Sequence, residues 1–263
     1  DLITKWALVF YYRCEAKDWR ELLSSHRHLA ESIDDPGRLG MLYAWLGFGC
    51  LGSDNKECKK LLHKALEIGE ALKNQKIIGY ACTWLTWLYC DIGLYDEAFQ
   101  YGMRAAEIAK FVESDHYLFF KANGGVALAY WQKGEQQRVF EIGNELIDHG
   151  KKYASIRSQT MGHLMLGGAH LTLGELTMAI KCFQKAYAVS ADTMYDTVAT
   201  IWLCIGDILN NQIAEDEDPL KESLEFCKEV QFDWAGMPAQ SNYGVVLIAR
   251  GNMRQGFRLI EDA

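Results

Sequence analysis

Apolar stretches with helical spacing alternate along this chain with short turns that contain glycine. The glycines of four such turns, Gly52, Gly93, Gly134 and Gly174, follow one another at intervals of 41, 41 and 40 residues. A fixed period of this size is typical of solenoids, in which each repeat buries its apolar face against its neighbours. Only three prolines occur in the chain, so long stretches can be helical without the ring clash that proline brings. The pattern therefore predicts an all-α solenoid.

Each turn glycine is preceded by one apolar helical segment and followed by a second. The clearest copy of this pattern comprises Leu166, Gly167, Gly174, Ala179, Phe183 and Ala186. A small residue after the leucine lets the two helices approach closely. These positions resemble the tetratricopeptide repeat, whose first helix bears Leu-Gly and whose second helix bears alanines around an aromatic residue.

The resemblance implies a right-handed α–α superhelix of about six to seven helix pairs. The expected repeats are residues 1–33, 38–73, 77–112, 117–152, 157–192, 196–231 and 237–263. The sixth repeat is irregular, because the glycine expected near position 214 is missing and an acidic segment intervenes. We expect Asp218 to cap a new helix whose first turn holds Pro219. The acidic run 215–218 is interpreted as a solvated loop rather than as a site for a basic partner.

The period is longer than the usual 34 residues of the tetratricopeptide motif. Together with residues 17–19 and 28–31 ahead of Asp35 and Pro36, this length resembles the C-terminal sensor regions of large signalling ATPases. Those ATPases include bacterial class III adenylate cyclases that are joined to an ATPase module. Bacterial peptide-pheromone receptors carry similar long repeats, so both contexts stay open.

The net charge is the feature of the composition that most restricts the class of partner. Hydrophobic residues make up 49% of the 263 and charged residues 24%, as in ordinary globular domains. The formal net charge of -8 disfavours nucleic acid and anionic membrane surfaces, which both attract clustered Lys and Arg. The sequence contains no run of about 18 apolar residues, so it predicts no membrane span. The eight cysteines are scattered in apolar stretches without a C-x-x-C pair, which indicates reduced thiols.

We therefore predict a cytoplasmic protein whose partner is a protein or a peptide. The sequence begins at Asp1 and ends at Ala263. We expect it to be a segment of a longer protein, whose other domains are further candidate partners.

Two patterns suggest site chemistry but lack its context. Residues 47–52 spell the G-x-G-x-x-G of dinucleotide sites, yet the preceding residues have a helical pattern where that motif requires a strand. His26 and His28, and likewise His163 and His170, lack the third and fourth ligands of a zinc site. No G-x-S-x-G elbow is present. We predict no cofactor, no metal and no catalytic residue, and hence a protein that is not an enzyme.

Aromatic residues point instead to an interaction surface, because rigid aromatic side chains carry much of the binding energy at interfaces. We expect Trp45 and Trp84 to pack between helices, and Trp87 and Trp131 to face the concave groove. Transferring the groove positions of the tetratricopeptide pattern to this sequence gives these candidate partner-binding residues: Tyr80, Thr83, Trp87, Asp91, Lys121, Leu128, Trp131, Gln132, Asp207, Asn210 and Asn211.

This lining is mixed and mostly uncharged, which suits an extended or helical peptide. The clamp that some arrays use for chaperone carboxylate tails is disfavoured, because Thr83 and Trp87 occupy positions where the clamp has Lys and Asn. The leading hypothesis is a protein-interaction or sensory module of a larger signalling protein. The alternative is a stand-alone receptor for a short signalling peptide, with Trp87, Trp131 and Asn210 around a closed pocket. An enzyme ranks last.

Overall fold

The structure is a computed structural model that describes residues 2–13, 15–112, 115–212 and 219–263. Within these ranges the chain forms fifteen helices. They are α1 Leu2–Tyr12, α2 Ala16–Ser25, α3 Arg27–Ser32, α4 Pro36–Gly49, α5 Asn55–Ala71, α6 Gln75–Asp91, α7 Tyr95–Phe111, α8 His116–Lys133, α9 Gln136–Lys152, α10 Ile156–Thr172, α11 Leu176–Val189, α12 Thr193–Leu209, α13 Pro219–Glu229, α14 Asp233–Ala249 and α15 Met253–Glu261.

The helices form seven antiparallel pairs, with the short α3 lying between the first two pairs. The pairs are α1/α2, α4/α5, α6/α7, α8/α9, α10/α11, α12/α13 and α14/α15. The first helices of successive pairs, from α4 to α14, also pack against one another and form an inner layer. The predicted all-α, right-handed superhelix is confirmed.

Short polar side chains fix where many of these helices begin. The carboxylates of Asp54 and Asp115 accept hydrogen bonds from the third backbone N–H of α5 and α8, and the Asn74 amide oxygen does the same for α6. Such caps satisfy N–H groups that have no partner within the helix. Asp218, the predicted cap of α13, lies outside the described residues.

The turn glycines have a backbone conformation that other residues rarely adopt. At Gly134, for example, φ is +80°, and Gly52, Gly93 and Gly174 are similar. In the sixth pair Asn211, two residues after the end of α12, adopts φ +58°. Asparagine tolerates this left-handed region better than most residues, so the pair turns without its glycine.

Small residues set the distance between helices within a pair. A Cβ atom at Gly167 of α10 would overlap the Phe183 ring of α11. The expected close approach at the Leu-Gly position is therefore confirmed. The buried residues of all seven pairs form one continuous core.

Candidate functional site

The superhelix encloses a cavity of about 420 Å³, a size typical of ligand sites. Its walls come from α1, α2 and the first helices α4 to α14, whereas the outer helices α5, α7, α9, α11, α13 and α15 contribute none of the described lining residues. The lining comprises Tyr11, Trp19, Arg20, Phe48, Gly49, Leu51, Trp84, Trp87, Asp91, Lys121, Leu128, Trp131, Gln132, Met161, Leu164, Met165, Met194, Tyr195, Val198, Ile201, Trp202, Gln231, Phe232, Trp234, Ala235 and Pro238.

Aromatic rings pack against one another at the N-terminal end of the cavity. The rings of Phe48 and Trp84 are stacked with centroids 3.6 Å apart, and Trp19 lies 4.9 Å from Phe48. Tyr11 of α1 meets Trp19 edge-on at 5.8 Å. Rings that constrain one another in this way present a rigid apolar wall.

A polar part of the cavity lining joins residues that are far apart in the sequence. The Arg20 guanidinium donates one hydrogen bond to Gln231 Oε1 at 2.9 Å and another to Ser53 Oγ at 3.1 Å. Trp87 and Trp234, which also line the cavity, lie edge to face with centroids 6.1 Å apart. The first helix pair and the turn between the sixth and seventh pairs therefore approach each other across the cavity.

The two tryptophans that the sequence placed on the concave face both line the cavity. Trp87 Nε1 donates to the backbone oxygen of Lys121 at 3.0 Å, which ties α6 to α8. Trp131 Nε1 donates to Thr172 Oγ1 at 2.6 Å. The ring of Trp131 lies against Gly168, where a Cβ would come within 2.6 Å of ring atom Cζ2. Both rings are thus held by α8 or α10 while one surface faces the cavity.

Among the charged residues of the cavity lining, Lys121 is only 4% exposed. Burial, together with the nearby positive charge of Arg157, lowers the pKa of its ammonium to about 7. Arg157 forms an ion pair with Asp192 at 2.7 Å, and the Asp192 charge partly offsets these effects on the pKa of Lys121.

Six of the predicted binding residues lie together at the cavity: Trp87, Asp91, Lys121, Leu128, Trp131 and Gln132. The cavity lining does not include the other five: Tyr80, Thr83, Asp207, Asn210 and Asn211.

These five side chains lie elsewhere in the structure. Thr83 is 1% exposed and its hydroxyl donates to the Gly79 backbone oxygen within α6. The Tyr80 hydroxyl donates to the Asp115 carboxylate. Asn210 and Asn211 are exposed at the end of α12. Asp207 is half-buried, and burial raises the pKa of its carboxyl group.

Sequence reasoning missed the residues that close the cavity, above all Tyr11, Trp19, Phe232 and Trp234. They belong to the first and last repeats, which meet only because the superhelix curves. Trp84 was expected to pack between helices and does so, but it also lines the cavity. Only the high aromatic content hinted at these residues.

The dinucleotide-like segment lies at the end of a helix, as its flanking pattern indicated. Gly47 is inside α4, and a Cβ there would come within 2.6 Å of Leu62 on α5. His170 packs on the Phe140 ring and is paired with Glu175 through Nδ1. In the described part of the chain, no group of three or more His, Cys, Asp or Glu residues could hold a metal ion. The acidic run 215–218 lies outside the described residues.

No helix among the described residues is both long enough and apolar enough to cross a bilayer. Comparison with protein-family models and with curated protein sequences gives no match.

Solved structures of helical repeat proteins are similar in fold. NprR, in complex with its cognate peptide NprX, superposes with a TM-score of 0.71 at 11% identity, over 98% of this chain and 73% of that one. The apo form of RapI superposes with a TM-score of 0.65 at 11% identity, over 99% of this chain and 94% of that one. The tetratricopeptide-sensor protein PH0952 from Pyrococcus horikoshii, a signal transduction ATPase with numerous domains, gives 0.59 at 16% identity. At such low identities the likeness establishes the fold alone.

Proposed function

We propose that this chain is a receptor module that binds a short peptide inside its superhelix. The observation that carries the proposal is the cavity itself, which is lined by the inner helices of the array and enclosed by its two ends. A folded protein surface would not enter beneath the Arg20–Gln231 bridge, whereas a peptide segment fits a pocket of this size. The complex of NprR with its peptide NprX gives a precedent in a similar fold.

The lining has the chemistry that a peptide requires. Met161, Leu164 and Met165 supply an apolar floor on α10, and methionine side chains adapt to ligands of different shape. Trp87 and Trp131 supply flat, fixed surfaces for apolar side chains. Exposed amide and carboxylate groups of Gln132 and Asp91 lie at the edge, where they can meet a peptide backbone.

A second reading places the module inside a larger signalling protein. The repeat sensor of PH0952 supports this reading, because the similarity covers 97% of this chain but 40% of that protein. In that setting a bound peptide would draw the two ends of the superhelix together and pass the change in curvature to an attached domain. The adenylate cyclase context remains a prediction from the sequence. Both settings use the same cavity, and in both the module binds rather than catalyses.

The proposal is tested by selecting from a randomised pool of hexapeptides on the immobilised chain. Leu128→Trp places a bulky indole ring in the cavity, and Leu209→Trp makes the same change at the end of α12, at a site that is 55% exposed. We expect the wild type and Leu209→Trp to retain the same peptides and Leu128→Trp to lose them. If Leu128→Trp retains every peptide that the wild type retains, the peptide does not bind in the cavity.

A further inference from the structure

Lys121 has an environment that no other described lysine shares. Its Nζ lies over five aromatic rings, at 5.4 Å from the centroids of Trp87 and Phe120, 5.5 Å from Tyr195, 5.7 Å from Trp84 and 5.9 Å from Tyr11. Ring faces attract a cation at such distances, but they do not accept a strong hydrogen bond from it. Lys121 is a buried residue of α8 and belongs to the lining of the cavity.

The carboxylate whose charge acts on Lys121 has another partner, because Asp192 is paired with Arg157 at 2.7 Å. Among the described residues none forms a hydrogen bond or an ion pair with Lys121 Nζ. The indole N–H of Trp84 is also buried there and finds no acceptor in the described part of the chain. This part of the cavity wall therefore holds a buried ammonium and a buried indole N–H, and among the described residues neither donates a hydrogen bond.

We infer that Lys121 is the recognition point for a carboxylate of the bound peptide, either its C-terminus or an acidic side chain. The inference rests on the proposed peptide-binding function. An anion in the cavity would supply the missing acceptor, and the low dielectric of the aromatic wall would strengthen the attraction. The neighbouring Met161 and Leu164 would then hold the apolar side chains of the residues next to that carboxylate.

This arrangement differs from the chaperone-tail clamp that the sequence disfavoured. The clamp uses Lys and Asn at the positions of Thr83 and Trp87, whereas Lys121 lies in the next repeat among aromatic rings. The Arg157 guanidinium lies over two of these rings, Tyr11 and Tyr195. Burial explains why such a charge would be selective. A ligand without an anion leaves the free-energy cost of the buried ammonium unchanged, whereas a ligand with an anion lowers that cost by pairing with it.

The test uses four forms of the hexapeptide pool, with a C-terminal acid or amide and with or without Asp and Glu. On the wild-type chain we expect retention of the forms that carry the recognised carboxylate, and about 30-fold weaker binding of the amide pool that lacks acidic residues. The acid pool without Asp and Glu and the amide pool with them distinguish the two carboxylate sources. Equal retention of all four forms would overturn the inference even though peptide binding stands.

Variants locate the effect on one residue. Lys121→Met should lose the preference for carboxylates, Lys121→Arg should keep it, and Lys110→Met, an exposed lysine on α7, should behave as wild type. An unchanged preference in Lys121→Met would also overturn the assignment. If Lys121→Met does not fold, the comparison of pools on the wild type still decides. If no pool is retained by the wild type, the proposed function itself fails, which is a separate outcome.

Discussion

At the scale of single residues, the buried Lys121 ammonium makes the stability of the fold depend on pH. Burial lowers its pKa from 10.5 to about 7. The groups that face it from neighbouring helices are Arg157, which opposes its charge, Asp192, which favours it, and the phenols of Tyr11 and Tyr195. Between pH 7 and 10.5 the unfolded chain holds a proton that the folded chain has released, so the free energy of unfolding rises with pH there.

Lys121→Met should therefore be more stable than the wild type at pH 6, by on the order of a few kcal/mol, because the folded wild type carries a desolvated charge. The difference should shrink as the pH rises towards 10.5, where the lysine is neutral in both states. Urea unfolding at pH 6, 8 and 9.5 measures the trend, with Lys110→Met as the exposed control. A stability difference that stays constant with pH would contradict the pKa of Lys121.

Single residues also show how far the sequence predicts the site. Trp87 and Trp131 were placed on the concave face by the repeat pattern, and both line the cavity. The repeat pattern predicts which face of a helix each position occupies. It does not predict where the helix ends or how the chain continues beyond that end. Asn210 and Asn211 therefore sat on the predicted groove, although α12 ends at Leu209 and both side chains lie in the exposed turn.

At the scale of elements, Asp115 connects the start of α8 to α6. Its Oδ1 accepts the Leu118 N–H at 3.0 Å, and its carboxylate also binds the Tyr80 hydroxyl at 3.1 Å and Lys76 at 2.9 Å. The side chain is only 10% exposed. Because α8 carries Lys121, Leu128 and Trp131, this cap positions one wall of the cavity.

Asp115→Ala should lower the free energy of unfolding by about 1–2 kcal/mol, because the first turn of α8 loses its cap. Asp115→Asn keeps an oxygen for the Leu118 N–H and the Tyr80 hydroxyl. It should cost much less, since the lost ion pair involves a lysine that is 53% exposed. Urea unfolding of both variants checks this order. Equal losses would assign the effect to the ion pair instead of the cap.

The elements themselves were largely predictable because their signals are local. Turn glycines with positive φ recur at the spacing read from the sequence, and the small position at Gly167 meets Phe183 as the motif requires. The left-handed Asn211 was not anticipated, because a glycine was expected near position 214. The sequence signal for that turn was an asparagine, the residue that most readily replaces glycine there.

At the scale of the whole molecule, closure of the superhelix is the property that sequence patterns do not encode. Each repeat contacts mainly its neighbours, so small rotations between repeats accumulate into the curvature. That accumulated curvature brings Arg20 within hydrogen-bond distance of Gln231, and Trp87 against Trp234. A peptide that fills the cavity would contact both ends and favour the closed form, in line with population shift by a ligand.

The Arg20–Gln231 bridge should act as a gate for the bound peptide. Arg20→Ala removes the bridge, so a peptide selected from the hexapeptide pool should enter and leave faster while its affinity changes little. Gln231→Glu replaces the amide by a carboxylate, and the stronger charge-assisted bond to Arg20 should slow both steps. Stopped-flow tryptophan fluorescence measures the rates, with Arg138→Ala on the outer helix α9 as the control. If the rates of all three variants match the wild type, the peptide does not pass the bridge, and entry must occur between the inner helices.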